Sequence, residues 1–386
     1  MNKSLNILIC PLEWGLGHAA RMIPVAKLLK DMGHNVIIAS GNEHLALFKN
    51  ELPGLQSICF TGFKPSYSSF LPQYLSLLLK VPLLLYHIIR EHNTLKRLIK
   101  AYNISIVISD NRFGLWNRNV TSVYVTHMPR IPLPSFFRFL EPVGIMLHRI
   151  VIKKYNYCWI PDLPGDLNLS GRLSHGIRLQ DNTRFTGILS RFGYPEYNSF
   201  NAKMKPGHFT LILSGPEPQR EILRQKLVSI LIDKPFTTFI FGGNPDKTGV
   251  VVVTGNIHYF NHLPAKEMAE IIQSSKCVIT RSGYTTIMEL ISMGVTAVLI
   301  PTPGQTEQEY LSGYLSEKGW FTSVSQKELY KDFSLPSKKA DLRNQFAVRS
   351  EELLKDAVFE LLEYEHGKRQ CQKTGKEASP HLGRSM

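Results

Sequence analysis

Ser282 and Gly283 form a turn, with Thr285 and Thr286 just behind it and an acid, Glu289, further on; these residues are spaced to hold a phosphate and its neighbouring hydroxyls. A serine–glycine turn at a helix start aims backbone N–H groups and the positive end of the helix dipole at one point, which suits an anion. Glu289, two turns in, is acidic among the apolar Ile287, Leu290 and Ile291, and a carboxylate there can accept hydrogen bonds from ribose hydroxyls. An ordinary βαβ unit with a surface Glu has the same spacing, so residue types alone leave both readings open. A second constellation lies near the N-terminus. His18 follows Gly15 and Gly17 in Glu13-Trp-Gly-Leu-Gly-His18, and Asp110 ends the apolar run Ile104–Ser109. A histidine oriented by a buried aspartate can take a proton from a hydroxyl. A helix-capping His and a turn-forming Asp before Asn111 fit the same residues, and Asp110 or Glu13 is an alternative base.

The elements that must position these groups are strands that end in Gly turns. Leu5–Cys10 is a short apolar strand leading into the Gly15 and Gly17 loop, and then a helix with Ile23, Val25, Ala26, Leu28 and Leu29. Phe209–Ser214 repeats the pattern, with a turn at Gly215-Pro-Glu-Pro-Gln219 and a helix through Ile222, Leu223, Leu227 and Ile230. Each is the opening of a Rossmann-like unit. Further strands are expected at 35–39, 104–109 and 122–126, then at 237–241, 250–253, 277–280 and 296–300. Alternation with helical stretches predicts an α/β protein with two parallel sheets. The boundaries read as a Rossmann-like domain over 1–165, a connection over 166–205 and a second Rossmann-like domain over 206–345. A helix over 346–365 and a disordered basic tail over 366–386 follow.

The run Arg281-Ser-Gly-x-x-Thr-x-x-Glu289, followed by a strand ending at Pro301 and the loop Gln305–Tyr310, resembles the donor-site signature of GT-B glycosyltransferases. It is similar above all to the family that adds N-acetylglucosamine to the lipid-linked peptidoglycan precursor, and more loosely to the UDP-glucuronosyltransferases. The resemblance spans roughly Leu5 to Trp320. It implies the GT-B fold: two facing Rossmann-like domains, the first for the acceptor and the second for a nucleotide-sugar, with a cleft between. It implies that Glu289 binds the uridine ribose, that Ser282, Gly283 and Thr285 lie near the diphosphate, and that Gln308 and Glu309 contact the donor sugar. The second of that pair is Gln in the family, so Glu309 is a departure. Phe185-Thr-Gly-Ile-Leu-Ser-Arg191 resembles the interdomain segment whose Arg meets the diphosphate, for which a guanidinium fork is suited. Gly15, Gly17 and His18 match the first Gly-rich loop, with His18 as base and Asp110 beside it. Gly215 offers backbone N–H groups to the phosphates, whereas Glu217 stands about where the family has a serine.

The chain has 386 residues, enough for two cores, and 45 basic against 31 acidic residues give a net charge of +14. That excess implies an anionic partner. Nucleic acid is disfavoured, because no reading helix or interleaved aromatic and basic residues stand out. Two apolar zones, Phe70–Ile89 and Arg130–Lys154, carry Arg90, Lys96, Arg97, Lys100, Arg138, Arg149, Lys153 and Lys154 within or beside them. Apolar surface ringed by basic residues suits peripheral contact with an anionic membrane, and helices packed in the N-terminal core account for the same zones. Gln73, Lys80, Pro82 and His87 argue against a spanning helix. Five scattered cysteines without a Cys-x-x-Cys pair favour free thiols and a cytoplasmic location, with the inner membrane face as the site of any lipid contact.

No Asp-x-Asp and no zinc-spaced His/Cys cluster occur, so no metal or other cofactor is expected and the nucleotide-sugar is a substrate. The expected activity is inverting, metal-independent transfer of a sugar from a UDP-sugar to an acceptor hydroxyl, the acceptor being a lipid-linked or cell-envelope glycan. A UDP-sugar epimerase or hydrolase, and a non-catalytic sugar-nucleotide or lipid-binding protein, are the alternatives.

Overall fold

The computed structural model describes residues 4–64, 79–193, 207–215, 217–245, 251–329 and 343–374. The first half of the apolar zone at 70–89, residues 194–205 of the expected connection, position 250 and the end of the tail lie outside them.

Apolar runs too short for helices form central strands buried on both faces, as parallel sheets require. The first sheet holds β1 (Asn6–Pro11), β2 (Asn35–Ser40), β3 (Gln56–Cys59), β4 (Ile106–Asp110), β5 (Thr121–Val125), β6 (Tyr157–Ile160) and β7 (Thr183–Phe185). Its order is β3-β2-β1-β4-β5-β6-β7, with every pairing parallel. The second holds β8 (Phe209–Ile212), β9 (Thr238–Phe241), β10 (Val251–Thr254), β11 (Ile257–Phe260), β12 (Cys277–Thr280), β13 (Val298–Leu299) and β14 (Thr322–Ser323). Its order is β10-β11-β9-β8-β12-β13-β14. β10 runs antiparallel to β11, because Gly255, in the left-handed region at φ 57°, turns the chain back in a two-residue hairpin.

The helices that cover these sheets are α1 (Leu16–Asp31), α2 (Asn42–Glu51), α3 (Val81–Ala101), α4 (Glu141–Ile152), α5 (Gln219–Leu231), α6 (Ala265–Ser274), α7 (Tyr284–Ser292), α8 (Thr306–Glu317) and α9 (Arg343–Thr374). The segment expected as a connection contributes β7 to the first sheet. The last helix then returns to the first domain. Phe346 packs in the second domain's core, whereas Ala357, Val358, Leu361 and Leu362 pack with Ile7, Ile9 and Trp159 of the first. The expected end of helix at residue 365 is corrected: α9 continues to Thr374, so residues 366–374 are not a disordered tail. Arg369 pairs with Glu365 one turn back at 2.7 Å and also reaches Ser105, tethers that hold the basic stretch in register.

Two helices of the first domain turn their apolar faces outward. On α3, Leu83, Leu85, Tyr86 and Ile89 are exposed and only Glu91 and Leu95 are buried. Phe136 and Phe139, in the 3-10 turn Ser135–Leu140, are 79% and 73% exposed, and Val143, Met146, Leu147 and Ile150 of α4 lie open beside them. Burial in the N-terminal core therefore does not account for these side chains. No described helix is long and apolar enough to cross a membrane.

Candidate active site

In both sheets the strand order reverses at a switch point between parallel neighbours, β1 and β4 in the first and β8 and β12 in the second, and ligands of open α/β sheets collect at the carboxyl ends of such neighbours. The register is decisive in the first sheet. Pro11 pairs with Asp110, so the loop that leads to His18 leaves the sheet beside Asp110. Gly15 caps α1 at φ 121°, a conformation that favours glycine, and His44 Nε2–H donates to its carbonyl at 3.1 Å. His18 thereby stands in the first turn of α1, at the positive end of its dipole.

His18 Nδ1 lies 2.9 Å from Asp110 Oδ2. Arg21, one turn further along α1, donates from Nε to the same oxygen at 3.0 Å and from Nη2 to Oδ1. Burial pushes the fully enclosed Asp110 carboxyl up, but Arg21 and then His18 outweigh it, and it titrates at about 2. Asp110 is therefore ionised, with both oxygens occupied by Arg21 and His18. Arg21 Nη2 is also 3.0 Å from His18 Nδ1. That arm is already engaged with Asp110 Oδ1, and a lone pair on Nδ1 would face the carboxylate oxygen Oδ2, so the proton is assigned to Nδ1 and the lone pair to Nε2. Burial, more than the neighbouring Arg21 and His127, lowers the His18 pKa against the pull of Asp110, which keeps the ring neutral at pH 7. Its side chain retains 17% exposure. Glu13, the other alternative, is buried and accepts from Gly62 N–H at 3.1 Å through Oε2, while Oε1 has no partner; burial raises its pKa.

In the second sheet Ile212 pairs with Thr280, which brings the Gly215 turn and the Ser282–Gly283 turn side by side. Gly215 has φ 99°, again suited to glycine. Gly283 caps α7, whose first turn carries no acid. The Ser282 hydroxyl donates to Gln308 O at 2.8 Å, and Thr285 Oγ1–H donates to Gly17 O at 3.1 Å, so Thr285 touches the first domain's Gly-rich loop directly. Arg281 is buried behind the turn, its Nη1 and Nη2 donating to Ile300 O, Pro301 O and Gln219 O; burial lowers it to about 10.

The structure joins Arg191 and Glu289. Arg191 Nε donates to Glu289 Oε1 at 2.8 Å, and Nη1 reaches Glu51 Oε1 on α2 at 3.3 Å. Burial raises both carboxyls, and the guanidinium opposes that rise. Gln308 is buried and its Oε1 accepts from Thr302 N–H at 2.9 Å. Glu309 is exposed and accepts from Gly304 N–H at 2.8 Å, shaping the loop before α8. Glu217 is taken up by Arg220 at 2.8 Å and by Glu221 N–H at the start of α5.

Side chains that the sequence does not single out join these groups. His127, just past β5, lies 3.2 Å from Arg21 Nη1 through Nδ1 and 2.9 Å from Glu307 Oε1 through Nε2. Burial pushes Glu307 up, yet His127, His18 and Arg21 bring it below the usual carboxylate range. Arg21 follows His18 by three residues on one helix face, a spacing that signals contact. His127 follows a strand end just as Asp110 does. Glu307 and Glu51 carry no such local signal, because their partners, His127 and Arg191, lie far away in the sequence.

Residues 240–355 match the glycosyltransferase family 28 C-terminal domain. An uncharacterized glycosyltransferase of Methanosarcina acetivorans is 24% identical over 342 residues, covering 83% of this chain and 86% of that protein. The UDP-N-acetylglucosamine--N-acetylmuramyl-(pentapeptide) pyrophosphoryl-undecaprenol N-acetylglucosamine transferase of Exiguobacterium sibiricum is 32% identical over 99 residues, 22% of this chain and 27% of that one. Among solved structures, the glycosyltransferase SnogD from Streptomyces nogalater superposes with a TM-score of 0.56 at 14% identity, over 94% of this chain and 100% of that one, a likeness of fold.

Proposed function

The chain is a glycosyltransferase of the GT-B fold, and we propose that it moves a sugar from a UDP-sugar to an acceptor hydroxyl with inversion and without a metal. The observation that carries this reading is the pairing of His18 and Asp110 at one sheet's switch point, with Thr285 of the anion-binding turn touching the His18 loop. In the proposed step His18 Nε2 takes the acceptor proton as the acceptor oxygen attacks C1 of the sugar. The C1–oxygen bond to the diphosphate breaks on the opposite face, its electrons leaving with UDP, so a single displacement inverts C1. The leaving charge is met by the Gly283 turn, the α7 dipole, the Gly215 N–H groups and Arg191. Glu289 spends one lone pair on Arg191 and retains acceptor capacity for the ribose hydroxyls. Support for uridine comes from the Exiguobacterium relative, whose name states a UDP-sugar donor. Gln308 and Glu309 hold the loop beside the sugar, and the Glu307 carboxylate faces the cleft.

The same proposal extends to the acceptor. The exposed apolar faces of α3, α4 and the turn between Ser135 and Leu140 are bordered by Arg90, Lys96, Arg97, Arg138, Arg149 and Lys153. Such a surface fits an anionic membrane on the cytoplasmic side and a lipid-linked acceptor. The test is product analysis. The protein is incubated with radiolabelled UDP-sugars, with and without a lipid extract. Transfer of label to lipid only when extract is present supports the reading, and consumption of donor without acceptor replaces it with epimerisation or hydrolysis.

A further inference from the structure

The cleft holds a chain of polar side chains longer than the proton transfer needs. It runs His18–Asp110–Arg21 inside the first domain and continues Arg21–His127–Glu307 into the second. Arg21, 1% exposed, is the branch point. Its Nε and Nη2 hold both oxygens of Asp110, and Nη1 points at His127 Nδ1. A guanidinium only donates, so His127 Nδ1 is the acceptor and its proton sits on Nε2, directed at Glu307. One tautomer of His127 is thus selected by two charged neighbours, one from each domain. The ring also lies flat on Tyr284, the first residue of α7, with centroids 4.1 Å apart and planes at 8°. Thr306, beside Glu307, donates to Pro132 O at 2.8 Å, so the start of α8 is tied to the first domain a second time.

We infer that Arg21 and His127 are positioning residues that make His18 a competent base only when the cleft is closed on Glu307. The inference rests on His18 being the base. In the closed arrangement Glu307 holds the His127 proton on Nε2, Nδ1 accepts the free arm of Arg21, and the fork stays on Asp110, which keeps the His18 proton on Nδ1. When the cleft opens, His127 loses Glu307 and Arg21 alone selects its tautomer, so the Nδ1–H form becomes accessible. That form turns a proton toward Arg21 and pushes the fork away from Asp110. Base strength is then coupled to enclosure of the donor, which limits attack by water in an open cleft. The charged and titratable groups that face His18 are Asp110, Arg21, His127, His44 and Glu307; among these, Glu307 comes from the second domain.

The test uses the full chain with 15N-labelled histidine. The wild type is expected to show His127 protonated on Nε2 and His18 protonated on Nδ1. Glu307→Ala removes both charge and acceptor, whereas Glu307→Gln removes only the charge. The relay predicts that Ala raises the share of the His127 Nδ1–H tautomer and disturbs the His18 Nδ1–H signal, although residue 307 makes no hydrogen bond to His18, and that Gln preserves both. In turnover, Ala lowers kcat about tenfold or more while Gln stays within about threefold. Equal effects of Ala and Gln on His18, or an undisturbed His18 signal in Ala, overturn the inference. A rise in donor KM at constant kcat does so too, since it marks Glu307 as a donor contact alone. If Glu307→Ala fails to fold, His127→Gln is read at His18 in the same way. The NMR outcome stands whether or not sugar transfer is found, so failure of the proposed activity is seen separately.

Discussion

Replacing Asp110 with Asn is expected to cost stability and base function together. The substitution preserves volume but removes a charge and one acceptor. Asp110 receives Arg21 Nε at 3.0 Å, Arg21 Nη2, and His18 Nδ1 at 2.9 Å. An asparagine amide turns an NH2 toward one of these donors. Arg21 then keeps a buried charge without its carboxylate, which costs about 3–5 kcal/mol, or a Tm lower by roughly 6–20 °C for domains of this size. The pH dependence follows from the titration of Asp110. Its folded pKa of about 2 lies below the ordinary 3.8, a difference of about 2 kcal/mol. Because the folded value is the lower one, that stabilisation is fully present above the ordinary value and is lost as pH falls toward 2. Urea midpoints of wild type and variant therefore differ widely at pH 7 and converge below pH 4. The charge of Asp110 also raises the His18 pKa, so Asn moves the His18 titration to lower pH. Replacing Arg21 by Met together with Asp110 by Leu should recover much of the loss, since no lone charge remains. The reasoning is refuted if Asp110→Asn melts within about 2 °C of wild type at neutral pH and leaves the His18 titration in place.

Four further outcomes are expected. UDP should raise the Tm more than GDP or dTDP. Glu289→Ala should weaken UDP at least about tenfold, the worth of one charge-assisted hydrogen bond of about 1.5 kcal/mol; unchanged UDP binding by calorimetry would remove Glu289 from the ribose site. Phe136→Ser with Phe139→Ser should reduce sedimentation with phosphatidylglycerol vesicles about 100-fold or more, since each ring contributes about 1.5–3 kcal/mol when buried in lipid. Both rings are exposed, so the Tm should hold; full vesicle binding by that variant would discard the membrane surface. EDTA should leave the transfer rate within about twofold, because Arg191 and backbone N–H groups are proposed to meet the leaving charge. A large loss restored by Mg2+ would contradict metal independence.

What was legible in the sequence was local, and what was missed depends on the second body against which a helix docks. Strand, Gly turn and helix could be read because apolar runs with glycine at their ends have few other uses. His18 and Asp110 could be paired because each marks a strand end, and the Pro11–Asp110 register places those ends side by side. The helix beyond residue 365 was hidden, since Ser105 reaches Arg369 only once the last helix lies on the first sheet. The pair Gln308-Glu309 shows the limit most clearly. Consecutive residues on a helix point about 100° apart, so two neighbours cannot both face one cleft squarely. Which of them does is decided by the rotation of α8, and that is set by Leu311 and Leu315 sinking into the second core. With those two buried, Gln308 turns inward to Thr302, Glu309 turns out to cap Gly304, and Glu307 is the acid left facing His127. A motif read as a string does not show which acid of this turn meets the other domain. The burial of two leucines decides it: Glu307 faces His127 and Glu309 faces outward.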